Sequence, residues 1–146
     1  MNANKSRSLR LIPATLAASA ALLLNAAAAD HPKPDLSKLP PAAAKQGVTY
    51  ASDVKAILDK SCAKCHSGEK PKAKLRLDSL AGALKGSESG KVITPGDATK
   101  SPMLVSVARI GHEDEWMPPK NNKAKIEPLS TEQVSLIRAW IEQGAK

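Results

Sequence analysis

Both cysteines of the chain fall in one run, Cys62-Ala63-Lys64-Cys65-His66. Two thiols at this spacing, at a helical turn, can add to the two vinyl groups of a porphyrin. An imidazole directly after the second thiol then faces the iron from the proximal side. The run therefore predicts one covalent haem c, with Cys62 and Cys65 as its thioether attachments and His66 as the proximal iron ligand. Other uses of the run fit less well. A structural disulfide between Cys62 and Cys65, as in a secreted interaction domain, gives no reason for His66. A thioredoxin-type redox pair expects a βαβ context, which the chain lacks. Zinc would need Cys62, Cys65, His66 and one of His31 or His112, without the usual second ligand pair.

What such a haem does depends on its sixth ligand, for which the chain offers Met103, His112 and Met117. Met117 precedes Pro118-Pro119 in an irregular segment, and the prolines hold the following chain extended, which suits a thioether presented from a loop. Met103 falls in the first turn of a helix, where a core role is its ordinary use. His112 stands beside Glu113, Asp114 and Glu115, where a solvated surface is its ordinary place. Met117 is thus the expected distal ligand, with Met103 and His112 as alternatives. Thioether ligation raises the reduction potential, and a coordinatively filled iron passes electrons, so the chain reads as an electron carrier and not an enzyme. The alternative is a haem enzyme or small-ligand sensor with an open or labile sixth position, for which Arg109 and His112 are the distal candidates.

The elements that must hold these groups read as helices. Thr49 can cap a helix over residues 50–60, with Val54, Ile57 and Leu58 on one face, running directly into Cys62. Asp78 can cap a short helix bearing Leu80 and Leu84 and ended by Gly86. Ser101-Pro102 opens a third helix, Ser as cap and Pro at the first position, with Met103, Leu104, Val107 and Ile110 on its apolar side. Ser130 and Gln133 form a capping box for a last helix, where Val134, Ile137 and Ile141 make one stripe beside Leu136 and Trp140. Residues 86–100 and 111–128 read as loops, long enough to need a use such as wrapping a haem. No strand alternation appears. The expected fold is all-α, of about four helices with long loops around the haem.

The N-terminus belongs to a different class. Lys5, Arg7 and Arg10 precede an apolar stretch from Leu11 to Leu24, and Ala27-Ala28-Ala29 supply small residues. This is a secretory signal peptide over residues 1–29, cleaved before Asp30, and it is too short for the roughly 20 residues of a membrane span. Residues 30–48, with Pro32, Pro34, Pro40 and Pro41, read as an extended leader, and residues 49–146 as the haem domain. Cleavage takes three positive charges from a formal net charge of +8. The remaining basic surface, including Lys60, Lys64, Lys70, Lys72 and Lys74, suits an acidic redox partner. An exported protein with no basic helix and three aromatic residues is a poor nucleic-acid binder. The expected compartment is periplasmic or secreted.

Beyond these readings, the chain resembles the cytochrome c superfamily, and within it the planctomycete-type cytochrome c domain, from about Val54 to Ala145. The resemblance rests on the Cys62–His66 run, Leu75-Arg76-Leu77-Asp78, Gly86-Ser87-Glu88-Ser89-Gly90, Pro95-Gly96-Asp97, Lys100-Ser101, Met117-Pro118-Pro119 and Trp140-Ile141-Glu142-Gln143-Gly144-Ala145. It departs at Ser67, where glycine is common after the motif histidine. The resemblance implies His66 and Met117 as axial ligands, and terminal helices packed on each other. A ligating histidine also needs a partner for its second ring nitrogen, and the loop at Pro95 is the first place to expect one.

Overall fold

The computed structural model describes residues 32–146. Four α-helices order the chain: α1, Lys55–Ser61; α2, Leu80–Lys85; α3, Pro102–Ala108; and α4, Thr131–Glu142. A π-helical turn, Tyr50–Val54, leads into α1, and short 3-10 turns punctuate the loops. Among the described residues the sole β pairing is an isolated bridge, Ser87 to Gly90. The described residues are therefore all-α, with the four helices and long loops expected.

Most helix boundaries follow from the capping chemistry read in the sequence. The Thr49 side chain accepts from the Ser52 N–H, and both halves of the Ser130–Gln133 capping box are formed. Two caps differ. Ser79, and not Asp78, caps α2 by accepting from the Gly82 N–H, because the Asp78 carboxylate is drawn into a two-point pair with Arg76. Ser101 makes no cap bond at α3. It is fully buried, and its hydroxyl accepts from Thr94 N–H and donates to the Asp97 carbonyl, pinning the preceding loop.

The core sits where the chain's start, α3 and α4 converge. Val54, Leu58, Leu104, Ile137, Trp140 and Ile141 are each 0% exposed. Tyr50 and Trp140 place their ring centroids 6.1 Å apart at 48°, and the Tyr50 N–H donates to the Lys146 carbonyl at 2.6 Å. The terminal elements thus meet through the turn before α1.

Residues 32–48 follow an extended path interrupted by a 3-10 turn, Leu36–Lys38, and the later part does not trail free. Leu39 and Val48 are buried. Arg138 donates to the Pro40 carbonyl (2.7 Å), Ala43 N–H to Ser135 (3.0 Å), Gln143 to Lys45 (2.8 Å), and Val48 N–H to Gln143 (3.0 Å). The segment is a strap along α4, and the packed body begins near Leu39, ten residues before Thr49. Its prolines disfavour an α-helix, and its two buried apolar residues, Leu39 and Val48, dock it. The expected signal peptide, residues 1–29, and His31 lie outside the described residues. Among the described residues, no helix is long and apolar enough to cross a membrane.

Candidate functional site

Helix α1 delivers the motif. Its ladder continues past Ser61, with Cys62 N–H donating to Leu58 (2.8 Å), Cys65 N–H to Cys62 (3.1 Å) and His66 N–H to Cys62 (2.9 Å). Both thiols are free, Cys62 buried and Cys65 half-buried. Burial, with a smaller contribution from Cys65, pushes the Cys62 thiol up to about 11, so it is protonated at neutral pH.

His66 is half-buried, and its Nδ1 lies 3.2 Å from the Lys72 carbonyl. In the tautomer that donates this bond, Nε2 carries the lone pair that a metal needs. Burial holds the imidazole below its ordinary value, against the opposing pull of the Lys72 and Leu75 backbones. The orienting carbonyl is therefore at Lys72 and not in the Pro95 loop. The chain doubles back to supply it: Lys72 N–H donates to Cys65 (2.9 Å) and Leu77 N–H to His66 (2.8 Å). Ala73 and Lys74, both at φ 53, make the left-handed turn that closes this loop, a conformation that non-glycine residues hold only when their surroundings impose it. A backbone carbonyl in a loop leaves no side-chain signature, which is why residue types did not point to it.

The three candidates for the opposite ligand occupy different settings. Met103 is buried in the core, 6% exposed. His112 caps the Glu113–Glu115 turn, its Nδ1 accepting from Asp114 N–H at 3.4 Å. Met117 is half-buried and opens on a cavity of about 590 Å³, lined also by Pro34, Lys100, Pro102, Val105 and Ser106. Cys62, Cys65 and His66 do not line that cavity. The structure thus brings the two thiols and the imidazole together and sets Met117 on another loop. Its N–H donates to the Ser106 carbonyl at 3.0 Å, and its peptide to Pro118 is cis.

The donor set fits a haem: two unpaired thiols one helical turn apart and an imidazole already oriented by a carbonyl. It does not fit zinc, since no group of three or more His, Cys, Asp or Glu among the described residues could hold a metal ion.

The planctomycete cytochrome c family model matches residues 62–121, from the first motif cysteine past Met117-Pro118-Pro119. No curated protein gives a match. Among solved structures, the chain is similar to Kuenenia stuttgartiensis hydrazine synthase at 19% identity and a TM-score of 0.44, over 67% of this chain. It spans only 16% of that chain's length. The motif, its helical setting and the matched family agree: residues 62–121 carry the signature of the planctomycete cytochrome c family.

Proposed function

We propose that the chain is a monohaem electron-transfer protein, with haem c bound covalently through Cys62 and Cys65, His66 as proximal ligand and Met117 as distal ligand. The observation that carries this reading is the His66 imidazole held by the Lys72 carbonyl at the end of the helix that presents two free thiols. A haem held there supplies one-electron iron chemistry. The residues around it bind and orient. The thiols fix the ring, the Lys72 carbonyl fixes the tautomer and raises the basicity of His66, and Met117 closes the sixth position. Met117 is favoured because Met103 is committed to the core and His112 to a cap. The site needs oxidising-side assembly, so the reading includes a cleaved signal peptide at residues 1–29 and a periplasmic or secreted location. Exposed Lys60, Lys64, Lys70, Lys72 and Lys74 surround the motif and favour an acidic redox partner.

Intact mass spectrometry of the exported protein should show one added haem and loss of residues 1–29; an unmodified mass overturns the haem reading. The ferric protein should show the weak long-wavelength band that marks sulfur on iron. Met117→Ala should abolish it and lower the reduction potential on the order of 0.1 V, within the roughly 0.8 V that axial ligands span, while Met103→Ala keeps the band. High-spin features in the unaltered protein would instead favour an enzyme or sensor with an open sixth position.

A further inference from the structure

The loop that bears Met117 is gripped by one guanidinium. Helix α3 ends at Arg109, whose backbone is left-handed (φ 56, ψ 39). This turn sends the side chain along residues 116–118. Arg109 Nη2 donates to the Pro118 carbonyl at 2.6 Å, and the guanidinium carbon lies 5.2 Å from the centre of the Trp116 ring. Trp116 is itself fixed, its Nε1 donating to the Gly111 carbonyl at 2.9 Å. Lys120 sits 4.9 Å from the same ring and pairs with Glu113 at 2.6 Å. Between the two residues that Arg109 holds stands Met117, whose N–H donates to the Ser106 carbonyl and whose half-buried side chain packs against the core.

A planar cation that touches both flanking residues limits how far the backbone at Met117 can turn about its one hydrogen bond. The Arg109 Nε is buried with no hydrogen-bond partner among the described residues. The guanidinium's contacts are spent on the two neighbours of Met117.

We propose that Arg109 is the positioning residue that holds Met117 in place as the distal ligand. The inference rests on the Met117 assignment above. A methionine that is less well held competes less well for the iron, so an added ligand reports its release.

Imidazole titration of the ferric haem-loaded protein tests this. In Arg109→Gln, imidazole should bind about tenfold more tightly, equivalent to about 1.4 kcal/mol, and the sulfur–iron band should weaken. Arg109→Lys, which keeps a cation near Trp116 but loses the fork, should fall between the two and serves if the Gln variant fails to fold. Lys120→Ala removes the other cation over the ring without touching Pro118 and should stay within about twofold of the unaltered protein. A purely structural arginine would lower the melting temperature and leave imidazole affinity and the band unchanged. That result in Arg109→Gln, or in Arg109→Lys where the Gln variant does not fold, overturns the proposal, as does an equal effect from Lys120→Ala. Should Met117→Ala leave imidazole affinity unchanged, the Met117 assignment falls, and this inference with it.

Discussion

His66 and Asp97 show what single residues contribute and how far each is legible. The Cys62–His66 run states its chemistry in residue types alone, because thiols and imidazole have few joint uses at that spacing. The Lys72 carbonyl that orients His66 could not be read the same way, since every residue has a carbonyl and only the path of the loop selects one. Arg109 is legible in the sequence only as a distal candidate for an enzyme or sensor; its grip on Pro118 follows from the left-handed end of α3. Asp97 bears on the same region. Its carboxylate accepts from the Thr99 hydroxyl (2.6 Å) and the Lys100 N–H (3.1 Å) and pairs with the Lys100 ammonium (2.9 Å), ordering a turn that lines the cavity beside Met117. These bonds, the Thr99 hydroxyl's first, hold it at about 2, below its ordinary 3.8. A depressed carboxylate stabilises the folded state above its unfolded value and loses that contribution as pH falls through the folded one. Unaltered protein should therefore exceed Asp97→Asn in stability above pH 3.8, with the difference shrinking toward pH 2; urea midpoints across that range read it. A pH-independent difference would show that the carboxylate's charge is not what orders the turn.

At the scale of elements, helices with side-chain caps were read most faithfully. In α4 the capping box and the apolar stripe at Val134, Ile137 and Ile141 agree with the structure. Asp78 and Ser79 show the ordinary ambiguity: both residue types cap, and the choice fell to Arg76, which claimed the aspartate. Ser101 shows the opposite error, a cap residue taken by the core to pin residues 94–97. The 3-10 turns inside the loops have no apolar period to announce them. Gly86 ends α2 as expected, and the structure gives two reasons for it. Its φ is +89, and an added Cβ would stand 2.5 Å from the Gly90 carbonyl oxygen and 3.0 Å from the Lys91 Cα. Neither obstacle is a flexible side chain. Gly86→Ala should cost about 2 kcal/mol or more, measured by chemical denaturation; a cost near the few tenths typical of surface changes would mean that the 86–91 turn is not built this way.

For the molecule as a whole, composition and periodicity disclose the class but not the boundary. Proline and alanine in residues 32–48 speak for an extended path, yet Leu39 and Val48 are buried and hydrogen bonds tie the path to α4. Leu39→Ala should therefore destabilise the domain by about 2 kcal/mol, and an effect near zero would return the segment to a free leader. The meeting of the Tyr50 N–H with the Lys146 carbonyl, 2.6 Å apart, also bears on how the domain assembles in time. It closes a ring of roughly a hundred residues, at a chain-entropy cost on the order of 4 kcal/mol. Helical domains ordinarily fold fast because their contacts are local in sequence. Here one contact joins Lys146 to the first turn across nearly the whole domain, so folding is expected to be slower than the winding of the separate helices.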